Sequence, residues 1–174
     1  RIGAALGVRY CLSGSLEGAG GRVAVALELA DTRDCGIVWS ERFEMPLASI
    51  HQLRPEIASS VVSALEIRLP DHEAQWARNR PAEQLDAWSN YHLGLQHMFR
   101  FTKRDNQAAL ALFERAIGQQ PDFARAHAAR SFTHFQNAFL AYRSDVAGEA
   151  QQARRFAERA VELDGLDPSS NLAL

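Results

Sequence analysis

Apolar and polar residues alternate over two neighbouring stretches near the start of the chain. Val8, Tyr10, Leu12 and Leu16 interleave with Arg9, Cys11, Ser13, Ser15 and Glu17. Val23, Val25, Leu27 and Leu29 interleave with Arg22, Ala24, Ala26 and Glu28. A period of two predicts half-buried strands. The Gly18-Ala19-Gly20-Gly21 stretch between them reads as a turn, and 31–36 as a second. A third strand over 37–44 carries Trp39 and Phe43, and Met45-Pro46 is expected to end it. The tail of a helix is expected over 1–7, ended by Gly7. The pattern then changes period. Leu53, Ile57, Val61 and Leu65 recur every four residues, which predicts a helix over 50–68 whose stripe covers the sheet. Pro55 falls in its first turn, where proline is tolerated.

Residues 70–81 are polar and bounded by prolines, and read as a short connecting helix and linker. Leu85, Trp88, His92, Leu95 and Phe99 then form one stripe, and Tyr91, Gly94 and Met98 a second, so this helix is buried on two sides. Further helices follow around Phe113, over 122–142 and over 145–163. The fold class is therefore α+β: an antiparallel three-stranded meander with a covering helix, followed by an all-α domain of helical repeats. The expected boundaries are 1–69, a linker over 70–81, and 82–174.

The helical part repeats itself. Phe113-Glu114-Arg115-Ala116-Ile117 is echoed 44 residues later by Ala157-Glu158-Arg159-Ala160-Val161. Small residues recur where two helices approach closely, at Ala109 and Ala116 and again at Ala153 and Ala160. Pro121 and Pro168 mark the turns that follow. With Leu93-Gly94 on the preceding helix, the set resembles the tetratricopeptide repeat, a helix-turn-helix unit of ~34 residues. The second copy departs from it by about ten extra residues, and Gly165 stands where that repeat usually has a proline. About two units and the start of a third, at Asp167-Pro168-Ser169-Ser170, are expected.

The first part carries its own resemblance. The order of 8–16, the Gly-rich turn, Leu27-Glu28-Leu29-Ala30-Asp31-Thr32, Val38-Trp39-Ser40-Glu41-Arg42-Phe43 and the helix after them is similar to the amino-terminal domain of TolB. Such a domain ahead of tetratricopeptide repeats implies the C-terminal region of bacterial winged-helix or activator-type transcriptional regulators. Class III adenylate or guanylate cyclases are the alternative setting, and an envelope scaffold similar to TolB a third. In each, the resemblance implies sensing or protein contact, with any DNA-binding or catalytic domain before Arg1. It brings no catalytic residues, and no enzyme activity is expected of this chain.

Charge narrows the partners. The net charge is −2, and the parts before and after Pro81 each carry −1. Neither has the basic excess that a phosphate backbone requires, so any DNA contact belongs to another domain. Cys11 and Cys35 lack metal-ligand spacing and read as two reduced thiols of a cytoplasmic protein, with a disulfide across the hairpin as the alternative. No apolar run approaches the ~20 residues that span a membrane.

Candidate chemistry is sparse, and neither a metal nor a cofactor is expected. The Gly-rich stretch is followed by a strand, not by the helix N-terminus a phosphate loop needs. His127 and His134 lie seven apart on one helix face with Arg130 between them, and could meet an anion or, less readily, a metal. Satisfied helical histidines are the simpler reading. The row Phe132, Phe135, Phe139 and Tyr142 reads as inter-helix packing. Its sharper alternative is a concave groove lined by Tyr91, Leu95, Met98, Phe132, Phe135 and Gln136, by analogy with tetratricopeptide arrays, taking a protein or peptide partner. Self-association as a dimer is a further expectation, since a thin sheet and a short repeat array both leave apolar surface.

Overall fold

The computed structural model describes residues 5–174. The helix tail expected over 1–7 lies largely outside them. The chain divides into two compact units, Arg1–His72 and Glu73–Leu174.

The first unit is built on strands β1 (Tyr10–Ala19), β2 (Arg22–Asp31) and β3 (Ile37–Pro46), paired antiparallel in the order β1-β2-β3. Gly20 and Gly21 join β1 to β2 with φ of +58° and +75°. Two positive φ angles in a two-residue loop match the right-handed twist of the strands, and glycine takes them without strain. β3 runs through Met45 to Pro46, which pairs opposite Arg22. This is two residues beyond the expected end, because an edge strand tolerates proline.

Helix α1 (Ile50–Ser63) follows a single 3-10 turn and places Leu53 against Val23, Val25 and Phe43. Ile57, Leu27 and Met45 close this small core. The helix then passes through a π-helical stretch, Ala64–Arg68, into α2 (Leu69–Arg78). Two expectations are corrected here. Leu65 does not continue the covering stripe but is exposed, because the wider π turn rotates it away. Leu12 and Leu16 of β1 are exposed as well, since the residues that α1 buries come from β2 and β3.

At one end of the sheet, Asp31 is fully buried. It accepts hydrogen bonds from the Arg33 backbone N–H and guanidinium, each 2.9 Å, and lies 3.0 Å from His72 Nε2. The segment expected as a connecting helix and linker is helical as far as Arg78. His72 on it belongs to the first unit, whereas Ala74 and Ala77 are buried in the second.

The second unit contains α3 (Ala87–Met98), α4 (Lys103–Gln119), α5 (Ala124–Phe139), α6 (Val146–Leu163) and α7 (Pro168–Ala173). Each junction is specified locally. Asp86, Thr102, Asp145 and Asp167 cap α3, α4, α6 and α7 by accepting from backbone N–H groups at Ser89, Asp105, Gly148 and Ser170. Pro168 begins α7, where its missing N–H is not needed. Helix α5 stops at Phe139, and Ala141 takes a positive φ of 52°, so Tyr142 leaves the helix expected to carry it.

Consecutive helices pack on one another, and α7 packs on both α5 and α6. The core centres on Phe113, surrounded by Tyr91, Met98, Ala109, Ala116, Ala126 and Ala129. Ala157 and Ala160, the echo of that pattern on α6, are likewise buried.

Helices α3 and α4 approach closely at Gly94. A Cβ there would lie 2.6 Å from Phe113 Cε1, in a core with no spare room for the ring. Gly94→Ala is therefore expected to destabilise the helical unit by about 1–3 kcal/mol. Chemical denaturation would check this, and an unchanged midpoint would show that the ring moves freely.

Candidate functional site

Helix α5 buries alanines in its first half, but its second half, from Ser131, is polar where it is buried and aromatic where it is exposed. Ser131, Thr133, Gln136 and Asn137 are buried, with Gln136 only 1% exposed. On the other side Phe135 is 47% and Phe139 74% exposed. The three phenylalanines form a ladder, with ring centroids 5.7 Å apart for Phe132 and Phe135 and 5.4 Å for Phe135 and Phe139. The aromatic row is thus not inter-helix packing along its length. Among the three phenylalanines only Phe132 at its base is half-buried; Tyr142, beyond the end of the helix, is half-buried too.

The inward polar face is joined by a chain of hydrogen bonds, which leaves Asn106 Oδ1, His134 Nε2 and Gln136 Oε1 buried without a partner. Asn106 of α4 donates to Asn137 Oδ1 at 2.7 Å and to the Thr133 carbonyl at 3.1 Å. Asn137 in turn donates to Glu149 of α6 at 2.9 Å, and the same carboxylate lies 2.7 Å from His134 Nδ1. Gln136 donates to the Met98 carbonyl at 3.3 Å. Burial pushes the Glu149 carboxyl up, but the bonds from His134 and Asn137 outweigh this and hold it below the ordinary value. A buried polar network of this kind specifies the register of three helices only while its members are paired.

Beside the ladder lies a groove of about 290 Å³ lined from three helices. Tyr91, Leu95 and Met98 come from α3 and Phe99 directly follows it, Arg125, Ala128, Ala129 and Phe132 come from α5, and Ser169, Leu172 and Ala173 from α7. Burial pushes the Tyr91 hydroxyl up to about 12, so it stays a neutral donor. Arg125 is neutralised by Asp167, with Nε 2.7 Å from its carboxylate. The groove is accordingly apolar and without net charge.

Of the residues singled out from sequence, Tyr91, Leu95, Met98 and Phe132 meet in this groove. Phe135 continues its apolar row as an exposed ring, while Gln136 is turned into the core. His127, Arg130 and His134 sit on another face of α5, around Phe156 of α6. His134 stacks on Phe156 at 5.6 Å and is paired with Glu149 through Nδ1, while its buried Nε2 has no hydrogen-bond partner, so the satisfied-histidine reading describes only one of its ring nitrogens. Sequence reasoning missed Arg125, Ser169 and Leu172. The Asp167 cap and Pro168 gave the signal, since they open a further helix beside α5.

Among the described residues, no group of three or more His, Cys, Asp or Glu side chains could hold a metal ion. No helix among them is long and apolar enough to cross a membrane. Cys11 and Cys35 are both free. The Gly-rich stretch forms a hairpin and not a phosphate loop.

No protein-family model matches the chain. The whole chain is similar to putative adenylate cyclase 3 of Rhizobium meliloti (strain 1021), at 25% identity over 174 residues. It spans 30% of that protein's length.

Proposed function

We propose that residues 73–174 form tetratricopeptide-like helical hairpins whose groove binds a peptide segment anchored by large apolar side chains. The observation that carries this is the reversed polarity of the second half of α5, which buries amides and hydroxyls while exposing phenylalanines beside an apolar groove. Exposed aromatic surface next to a concave apolar site fits a partner's side chains. The volume supports a peptide over a small-molecule signal, because about 290 Å³ is at the lower bound for drug-sized ligands but ample for two anchoring side chains. The lack of net charge argues for apolar anchors over a charged motif.

In this reading the chain is a non-catalytic sensing and interaction region of a longer protein, with a TolB-like first unit. The similarity to a putative adenylate cyclase favours a cyclase setting over a transcriptional regulator, although the groove would serve either. A cyclase domain encoded upstream of Arg1 would support that setting, and a winged helix there would replace it.

Peptides selected by phage display on the 174-residue chain test the groove itself. They are expected to share two large apolar residues and to lose at least about tenfold in affinity against Leu95→Glu. Leu172→Glu, at a position 89% exposed on the groove wall, is expected to weaken them without lowering stability. Peptides that lack an apolar pair, or that bind both variants as well as the parent, would overturn the reading.

A further inference from the structure

A second cavity lies on a different face of the helical unit. It has a volume of about 380 Å³ and is lined by His127 of α5 and by Arg155, Phe156, Glu158, Arg159 and Glu162 of α6. Positions 155, 158, 159 and 162 follow the three- and four-residue spacing of one helix face, so their side chains converge on the same opening. His127 is 6% exposed. Its Nε2 lies 3.0 Å from the Pro121 carbonyl, which fixes that nitrogen as the N–H donor. Its Nδ1 is buried without a hydrogen-bond partner. A buried ring nitrogen without a partner is costly, and such groups ordinarily have one.

The charges around the cavity are unevenly matched. Arg159 pairs with Glu162 at 3.0 Å, and Glu158 is held by Arg154 at 2.8 Å. Arg130 reaches Glu114 of α4 only at 3.6 Å, and its buried Nε has no partner. Among the described residues Arg155 has no carboxylate partner; its guanidinium lies 6.0 Å from the Phe156 ring, over which Arg130 sits at 4.2 Å. These cations act on one another. Burial pushes the Arg130 guanidinium down, and Arg155 pushes it further against the pull of Glu114. Burial likewise lowers His127, and Arg159 and Arg130 add to that against the bond to Pro121.

We propose that this cavity binds a phosphate group, held by Arg155 and Arg159 with His127 Nδ1 as a third donor once that nitrogen is protonated. Three donors suit the three terminal oxygens of a phosphomonoester, or three of the four of free phosphate, and the volume leaves room for a small organic part. The anion removes the repulsion among Arg130, Arg155 and Arg159 and gives Nδ1 its missing partner. The Glu158 and Glu162 carboxylates oppose it, and Arg159 must be shared with Glu162, so affinity on the order of 1 mM is expected. Because His127 is lowered in the empty protein and favoured as a cation beside the anion, binding takes up a proton. Affinity then falls up to about tenfold for each pH unit above its pKa.

Sulfate is the first probe, since its charge is constant between about pH 5.5 and 8 while histidine titrates there. Calorimetry on the 174-residue chain, against chloride at equal ionic strength, is expected to show sulfate binding that weakens as pH rises. In buffers of different ionisation enthalpy it should show proton uptake. Arg155→Gln, at an exposed position, should abolish binding at an unchanged melting temperature. His127→Gln should leave weaker binding with neither the pH dependence nor the proton uptake. Inorganic phosphate and glycerol phosphate then separate the sources. Equal affinity points to free phosphate, and tighter binding of the ester to a phosphorylated metabolite. Sulfate that acts no differently from chloride, or that binds Arg155→Gln as well as the parent, would overturn the proposal.

Discussion

Phe113→Ala is expected to lower the stability of the helical unit by about 3–5 kcal/mol, read as a shift in its denaturation midpoint. The ring has no exposed surface and lies against Gly94, where an added Cβ would be 2.6 Å from Cε1. It also backs Tyr91, whose ring centroid is 6.2 Å away, and Tyr91 in turn packs on Phe123 at 4.9 Å. Truncation leaves a void that these close-packed helices cannot fill by collapse. A loss of this size is a large share of the 5–15 kcal/mol that holds a typical domain together. It would also loosen the α3 wall of the groove. Phe139→Ala supplies the contrast. That ring is mostly exposed, and its removal is expected to change stability by no more than about 0.5 kcal/mol. Equal losses at the two positions would contradict the placement of both rings.

Asp31→Ala is expected to destabilise the first unit by about 3 kcal/mol, and to remove part of its acid sensitivity. The carboxylate has no solvent exposure, and its removal takes away the ion pair with the Arg33 guanidinium and the hydrogen bond with His72. Burial alone would push Asp31 up. The side-chain and backbone bonds from Arg33, with that from His72, outweigh it and hold the carboxyl down at about 2. In the unfolded chain the same group titrates near 3.8. The folded state therefore binds fewer protons in that interval, and stability rises with pH across it. The contribution is fully present above the unfolded value and is lost as pH falls from about 3.8 towards 2. Denaturation midpoints between about pH 5 and 2 should fall more steeply for the parent chain than for Asp31→Ala. Parallel curves would mean that Asp31 is not engaged as the structure places it.

Much of the architecture could be read from the residues because it is encoded locally. The two glycines of the first hairpin, the aspartate caps ahead of α6 and α7, and the Ala-Phe-Ala spacing of α4 each specify a piece of geometry without help from the rest of the chain. The groove was partly legible for the same reason: residues three and four apart share a face, which brought Tyr91, Leu95 and Met98 together. What escaped depended on neighbours. The alternation in β1 is as regular as that in β2, yet α1 packs against only the residues of the other two strands. Leu12 has the same local sequence signal as Leu29 but a different environment. On α5 the usual rule, apolar inside and polar outside, gives the wrong face. Asn106 and Glu149 on adjacent helices supply partners for the inward polar groups, and no periodicity within α5 reveals those partners. The row Thr133, Gln136, Asn137 at helical spacing was the available clue, since it lies opposite the phenylalanines.

The π-helical stretch at Ala64–Arg68 acts as a phase corrector. An α-helix turns about 100° per residue, so over the nineteen residues from Leu53 to His72 it ends about 100° away from where it began. A π turn accommodates one extra residue without advancing the helix by a further 100°. Counted that way, the interval closes to about five whole turns. Leu53 and His72 are thereby brought onto one side of the rod, one against the sheet core and the other against Asp31. The segment between them is consequently fixed in length to the residue. Its exposed side chains are open to exchange, unlike Ile57, Ala64 and Leu69, but a single deletion there would swing the imidazole a quarter turn from the carboxylate it meets.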